Sequence, residues 1–228
     1  MILSFKKVLV FAAHPDDEII GCAGTLKKLA DLGTNVSVVI ATGGGTGISE
    51  GFADIKNLPD TRKNESLQTK ELLGISSMFF LNHETQKLIN NQQTFHQCIR
   101  LIRQEKPDLV MIHKNTDKHR DHRVLSEICR EAVWKSWENI MPDLGKRHRV
   151  EETWYYEVID AMSEPDVVVN IDAYLQTKLE CIALHISQKE ILEGIQNYIK
   201  GLAMVRGYSI GCDFAEAYKI CNILPRTA

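Results

Sequence analysis

Short apolar segments alternate with longer helical patterns along most of this chain, and this alternation constrains its fold more than any other feature. The first apolar run covers residues 7–13, and the second, rich in β-branched residues, covers 35–41. Between them, residues 18–32 have the pattern of a helix that stops at Gly33, a residue type that commonly ends helices. A strand, a helix and a second strand in this order predict a βαβ unit with parallel strands.

The alternation continues toward the C-terminus. It predicts further strands at 78–81, 109–112, 153–159 and 167–171, and helices at 61–73, 94–105, from 121 onward, at 173–187 and at 189–205. No composition break or internal repeat divides residues 1–228, so we expect a single domain. Strands that alternate with helices predict an α/β fold, in which a mostly parallel sheet carries helices on both faces.

Charge and hydropathy exclude two classes of function. The net charge of −3 and the pI near 6.2 provide no broad basic surface, so we expect no nucleic-acid partner. The apolar runs are far shorter than the ~20 residues of a membrane span, so we expect none. At the N-terminus the charged residues follow the apolar ones, which is the reverse of a signal peptide. The expected location is therefore cytoplasmic.

Polar clusters follow two of the predicted strands. Residues 13–18 (AHPDDE) come directly after the first strand, and residues 119–122 (HRDH) follow the fourth. Because ligands bind beyond the carboxyl ends of parallel strands, we expect both clusters to meet at one edge of the sheet. Two histidines and a carboxylate make a catalytic zinc set, and the same donors serve iron(II). These grounds do not choose among the histidines and acids, and a helix dipole alone would favour acids in a first turn.

The two clusters resemble motifs of the PIG-L, or LmbE-like, N-deacetylase family. Residues 13–18 are similar to its AHPDDE signature, and residues 119–122 resemble its HPDH motif with Arg120 in place of proline. Three further family segments have counterparts at 62–65, 178–188 and 211–218, and the five elements follow one another in the family's order. The resemblance implies a Rossmann-like fold and the zinc-dependent removal of an acetyl group from an N-acetylated amino sugar, a small-molecule substrate.

The resemblance also implies roles for individual residues. The implied metal ligands are His14, Asp17 and His122, for Zn²⁺ or alternatively Fe²⁺. Asp16 is the implied general base, which takes a proton from the metal-bound water. His119 is the implied group that stabilises the developing oxyanion or protonates the leaving amine.

Further residues are expected near this site. Asp121 is a candidate to orient one of the histidines, with a plain role as a first-turn helix acid as the alternative. Arg62 matches a family arginine that points to the substrate, so we expect it to bind sugar hydroxyls. His83 and Glu84 follow the third strand and are candidates for substrate contact at the same edge. The glycine-rich stretch 42–47 lacks a P-loop ending, so we expect it to line the pocket rather than to bind nucleotide.

Four other residues have structural interpretations. His185 lies beside an apolar helical stripe and is expected to be a packed, hydrogen-bonded core histidine, and Glu216 is expected to form a structural pair. Trp134 and Trp137 are one helical turn apart, which favours core packing, with a subunit contact as the alternative. The family resemblance also implies that the protein could form a homo-oligomer.

Three alternatives to sugar deacetylation stay open on the sequence. The same metal site could serve an amidase that acts on another amide conjugate, or lyase or hydratase chemistry. A metal-binding module without turnover is the third alternative, although such a module does not require Asp16 and His119. Release of acetate separates deacetylation from the lyase and binding alternatives.

Overall fold

The computed structural model describes residues 4–47 and 57–224 and contains one seven-stranded sheet. Its strands are β1 Lys7–Ala12, β2 Asn35–Thr42, β3 Ser77–His83, β4 Leu109–His113, β5 Glu152–Tyr156, β6 Val167–Asn170 and β7 Ala215–Ile220. Its α-helices are α1 Asp17–Asp31, α2 Leu58–Leu73, α3 Gln92–Glu105, α4 Arg120–Trp137, α5 Leu175–Ala183 and α6 Ile195–Tyr208. Short 3₁₀ helices cover Pro142–Leu144 and Ile186–Gln188.

The strands lie in the order β3-β2-β1-β4-β5-β7-β6. The first five of these are mutually parallel, and β7 runs antiparallel to both of its neighbours. The chain order reverses between β1 and β4, which is the position where open α/β sheets bind ligands. The predicted α/β class with a mostly parallel sheet is confirmed.

Apolar cores cover both faces of the sheet because side chains alternate along each strand. Val8 and Val10 of β1 belong to a core that also takes in α1, α5 and α6. Leu9 and Phe11, which alternate with them, belong to a second core under α3 and α4. The central strand β1 is therefore buried on both sides, as a parallel sheet requires, and its carboxyl end is held firmly in place.

Several element boundaries differ from the predicted ones. The last long helix begins at Ile195 rather than near residue 189, because the chain first forms the 3₁₀ helix Ile186–Gln188 and a series of turns. The strand β7, Ala215–Ile220, was not among the predicted strands. The turns between the 3₁₀ helix and α6 line the cavity beside the site.

Candidate metal centre and active site

The site begins with a strained turn between β1 and α1. Asp16 precedes α1 with a φ of 130°, a conformation that residues with a Cβ rarely adopt. Its carbonyl accepts hydrogen bonds from Ile19 and Ile20, and its N–H donates to the carboxyl of buried Glu18. The start of the helix thus holds the turn from both sides. Strain of this kind is frequent at functional sites.

Three side chains from the two motifs bring their donor atoms together at the carboxyl ends of β1 and β4. The Nδ1 atom of His14 lies 3.2 Å from Oδ2 of Asp17 and 3.2 Å from Nε2 of His122. The same His122 nitrogen lies 3.2 Å from Oδ1 of Asp17. Tetrahedral zinc with bonds of 2.0–2.1 Å holds its ligand atoms about 3.3 Å apart. The donor set and its spacing therefore fit a metal ion.

The charge state of Asp17 suits this set. Burial opposes its ionisation, but the neighbouring imidazoles of His122 and His14 outweigh burial and hold the pKa of this carboxyl well below its usual range. The carboxylate is thus the form present, and carboxylate is the form that binds metals.

Carboxylates lie behind both histidines. Nε2 of His14 donates to Oδ2 of Asp121 at 3.0 Å, and Nδ1 of His122 lies 3.2 Å from Oδ1 of Asp117. Partners of this kind fix the ring orientation and tautomer of metal-binding histidines. The placement agrees with the orienting role expected of Asp121. Asp117 was not among the predicted residues, although an acid five positions before His122, in the loop that leads into α4, was a usable signal.

A third histidine, His113, packs against the metal-binding side chains at the end of β4. His113 ends β4, is fully buried, and stacks on the ring of His122 with centroids 4.1 Å apart. Its Nε2 accepts a hydrogen bond from the N–H of Ala13 at 2.9 Å. Burial lowers the pKa of His113 to about 4, so this ring is neutral. It fixes the end of β1 against β4, which positions the donor atoms.

Asp16 faces the cavity and is held by an arginine. Nη2 of Arg62 lies 2.7 Å from Oδ2 of Asp16, and the same guanidinium donates to the carbonyls of Gly44 and Pro15. Burial raises the pKa of Asp16 to about 6, although the charge of Arg62 opposes the rise. A carboxyl with this pKa suits proton abstraction near neutral pH. Arg62 lines the cavity, but its bonds run to Asp16 and the backbone, and its contact with sugar hydroxyls stays a prediction.

His119 is the N-cap residue of α4. Its Nδ1 accepts the N–H of Asp121 at 3.2 Å, so the proton of the neutral ring is on Nε2. That nitrogen lies 3.1 Å from Nε2 of Gln86. With the ring proton on Nε2, the Gln86 amide pairs with it only when turned to present its oxygen. Burial and the nearby His14 and His122 lower the pKa of His119. The ring is therefore set to donate a hydrogen bond through Nε2.

A cavity of about 460 Å³ opens beside these groups. Its lining includes the donor residues, Asp16 and Arg62, which together we call the charged end. Thr46 and Gly47 show that the glycine-rich stretch also lines the cavity, as expected. The apolar lining residues, which we call the apolar wall, are Ile20, Val158, Ile159, Ile191, Leu192, Ile195 and Tyr198.

Two predicted residues lie away from this cavity. Nε2 of His83 is 2.8 Å from Oε1 of Gln97 on α3, and the exposed Glu84 pairs with Lys87. The physical reason is the strand order, which places β3 at the edge of the sheet, two strands from β1. The chain reaches the site slightly later, at Thr85 and at Gln86, which sequence reasoning missed.

The remaining structural predictions had mixed outcomes. Glu216 pairs with Lys178 inside the fold, as expected. His185 is buried, but neither of its ring nitrogens has a hydrogen-bond partner among the described residues, so the expected hydrogen bond was wrong. Trp134 and Trp137 are 45% and 38% exposed, so the predicted core packing of this pair was also wrong.

In the described ranges, no helix combines the length and apolarity needed to cross a membrane.

The sequence is similar to families and proteins of known activity. A family model described as PIG-L, GlcNAc-PI de-N-acetylase, matches residues 9–133. Diacetylchitobiose deacetylase of Thermococcus kodakarensis is 27% identical over 227 residues, with 94% of this chain and 82% of the relative covered. A probable N-acetyl-alpha-D-glucosaminyl L-malate deacetylase 2 of Bacillus cereus is 28% identical over 193 residues, with coverages of 82% and 86%.

Solved structures share the architecture. N,N'-diacetylchitobiose deacetylase from Pyrococcus horikoshii, in complex with its inhibitor MPG, superposes with a TM-score of 0.86 at 27% identity, covering 96% of this chain and 85% of that one. The 4-carboxy-2-hydroxymuconate hydratase GalB from Pseudomonas putida superposes with a TM-score of 0.84 at 20% identity, with 98% of both chains covered. At that lower identity the likeness shows a common fold alone.

Proposed function

Because the chain belongs to the PIG-L family, we propose that it is a zinc-dependent hydrolase that removes the acetyl group from an N-acetylated amino sugar. One observation carries the proposal: Nδ1 of His14 and Nε2 of His122 lie 3.2 Å apart, and each lies 3.2 Å from one carboxylate oxygen of Asp17, in a cavity that Asp16 also lines. The relatives named as deacetylases of N-acetylated sugars support it.

We assign the metal site to His14, Asp17 and His122. When bound there, zinc would polarise the acetamide carbonyl and lower the pKa of water. Asp121 and Asp117 contact the outer nitrogens of the two imidazoles, which leaves Nδ1 of His14 and Nε2 of His122 as the nitrogens that would bind the ion. Three protein ligands leave room for water and substrate, which is typical of catalytic zinc. Iron(II) accepts the same donors and is the alternative ion.

The protein residues then manage the protons. Asp16 takes a proton from the water as the water oxygen attacks the carbonyl carbon of the acetamide. Arg62 keeps the Asp16 carboxylate facing the cavity. His119 donates a hydrogen bond from Nε2 to the carbonyl oxygen as negative charge develops there. The carbon–nitrogen bond breaks, the nitrogen receives the proton that Asp16 took, and the products are acetate and the free amine.

The test measures both products and the metal. Purified protein is analysed for bound zinc and iron and is then incubated with N-acetylglucosamine and its conjugates. We expect acetate and free amine in equal amounts, and loss of both after the metal is removed by a chelator. Turnover of a non-sugar amide alone would instead favour an amidase of other conjugates. Consumption of a substrate without any acetate would favour hydratase or lyase chemistry, and metal without any turnover would favour a binding module.

Location and assembly are part of the same proposal. We propose a cytoplasmic enzyme, and a homo-oligomer is open to test. Cell fractionation followed by light scattering on the purified protein measures both properties.

A further inference from the structure

The two sides of the cavity differ sharply in chemistry. The charged end holds the metal donors and Asp16, which act on the acetamide. The apolar wall draws on three parts of the chain: α1, the residues after β5, and the stretch from the 3₁₀ helix into α6. A substrate with its acetamide at the charged end must therefore place another part of itself against aliphatic side chains.

The apolar wall is not simply core. Ile191 is 53% exposed and Ile159 is 38% exposed, although both line a concave site. Large apolar side chains left exposed inside a cavity are a usual feature of binding sites, because a ligand covers them. The wall therefore has area available for an apolar group.

Hydrogen bonds hold the wall in position. The hydroxyl of Tyr198 donates to the carbonyl of Ile159 at 3.1 Å, so the ring rather than the hydroxyl is available to a ligand. The carboxylate of Glu65 on α2 accepts the N–H of Ser187 at 2.8 Å and its hydroxyl at 2.7 Å. These bonds fix both ends of the stretch that carries Ile191, so the wall is formed before a ligand binds.

The cavity offers poor partners to an anion. Arg62 is the one cationic Lys or Arg side chain among the described lining residues, and it is already bonded to Asp16 and to backbone carbonyls. The charged end adds the carboxylates of Asp16 and Asp17. Away from the metal site, a second negative group on the substrate would thus lose its hydration without gaining a lysine or a free arginine partner.

We propose that the preferred substrate is an N-acetylated amino sugar joined to an uncharged group with an apolar face, such as an aryl or alkyl aglycone, which packs on the apolar wall. This inference rests on the deacetylase activity proposed above and narrows its substrate class. The acetamide is selected at the charged end, and the attached group is selected by Ile159, Ile191 and Tyr198. Anionic conjugates are disfavoured.

The first test is a substrate panel. It compares kcat/KM for free N-acetylglucosamine, for both anomers of its phenyl glycoside, and for its malate conjugate. We expect at least one phenyl glycoside to exceed the free sugar by about tenfold or more, since apolar pocket contacts contribute discrimination of this size. We expect the malate conjugate to be the poorest substrate. A malate conjugate that equals or exceeds both phenyl glycosides would overturn the inference and leave deacetylation standing. Failure of every sugar would overturn the proposed function itself.

The second test changes the wall without threatening the fold. Ile191→Ser should lower kcat/KM for the preferred phenyl glycoside several-fold more than for the free sugar, because it removes contact area at an exposed position. Ile191→Lys should raise the ratio of malate to phenyl turnover, because it supplies the missing cation. Val205→Ser is the matched control, since Val205 is 64% exposed and does not line the cavity. Equal ratios in the control and both Ile191 variants would contradict the inference.

Discussion

The helices α1 and α4 both direct their N-termini at the site, and they begin in opposite ways. The residue before α1, Asp16, has a φ of 130°, and its side chain makes no capping hydrogen bond. The residue before α4, His119, has an extended backbone with φ −75° and ψ 130°, and its ring accepts the capping hydrogen bond from Asp121. One terminus is strained and uncapped, and the other is relaxed and capped.

The difference shows two ways of fixing a reactive side chain. At α1, a strained backbone costing on the order of 1–3 kcal/mol leaves the Asp16 carboxylate free to face the cavity, and Arg62 must hold it from another helix. At α4, the capping bond itself fixes the orientation and the tautomer of His119. The two termini are also linked, because Asp121 of α4 holds the ring of His14 before α1.

Removing a metal ligand from the start of α1 or of α4 should have the same large effect on zinc binding and on activity. Asp17→Ala and His122→Ala should each lose bound zinc, and kcat/KM should fall by at least about 10³-fold, since the ion contributes several kcal/mol to transition-state stabilisation. Metal analysis after dialysis and acetate release measure the two effects. His96→Ala, on α3, is the control and should retain metal. Full zinc content in Asp17→Ala would refute the ligand assignment.

Asp16→Asn should separate the role of the strained terminus from metal binding. Asparagine tolerates positive φ better than most residues, so the turn should persist, but the amide cannot take a proton. We expect zinc to remain bound while kcat falls by about 10²- to 10³-fold. Single-turnover rates and metal content of the same preparation provide the measurement. A rate near that of the wild type would show that another group is the base.

Removing the carboxylates that contact His14 and His122 should weaken zinc binding without abolishing it. Asp121→Asn and Asp117→Asn should each reduce zinc affinity by about 10- to 100-fold, because the imidazoles lose the carboxylates that orient them. Competition with a chelator of known affinity measures the change. Asp143→Asn, in the 3₁₀ helix Pro142–Leu144, removes an acid elsewhere and should leave zinc affinity unaltered.

The pH dependence of kcat/KM should report the protonation of Asp16, at the strained terminus. Because burial raises the pKa of Asp16 to about 6, kcat/KM should fall as the pH drops through that value and the base takes up a proton. Arg62→Gln removes the charge that lowers this pKa, so the acidic limb should move to higher pH. Lys63→Gln removes a charge from the exposed side of α2 and should leave the limb in place. A shift of the Arg62→Gln limb to lower pH would contradict the assigned pairing.

The smallest expected effect is one on stability, at the relaxed terminus. His119→Ala should lower the free energy of unfolding by about 1 kcal/mol through loss of the cap, whereas His119→Asn should retain most of it. Urea denaturation of the two variants measures the difference. Equal destabilisation by alanine and asparagine would mean that the capping bond contributes nothing.

The main architecture and the position of the site could be predicted from the sequence, because both follow from local patterns. Apolar runs at the spacing of alternating strands and helices define a parallel sheet, and the polar motifs come directly after β1 and β4. The carboxyl ends of neighbouring strands lie at one edge, so His14, Asp17 and His122 had to come close. The choice of these three among their neighbours rested on the family resemblance.

Other features depend on contacts between distant parts of the chain. The bond between Arg62 and Asp16 joins α2 to α1, and the contact of Gln86 with His119 joins the turn after β3 to α4. Neither contact has a periodic pattern that would reveal it. His83 and Glu84 were expected at the site because they follow a strand, but strand order along the sheet, which local patterns do not encode, carried them to its edge. The φ of Asp16 likewise arises from its surroundings.

The bond between Glu65 and Ser187 has an implication for how such a protein can change. Arg62 and Glu65 lie one turn apart on α2, so a single helix steadies both the proton acceptor and the stretch that bears Ile191. The residues between Ser187 and the start of α6 at Ile195 belong to no strand of the sheet. That stretch can therefore be exchanged as a cassette between Ser187 and α6, which would retarget the enzyme toward another conjugate while the hydrolytic machinery is inherited unaltered.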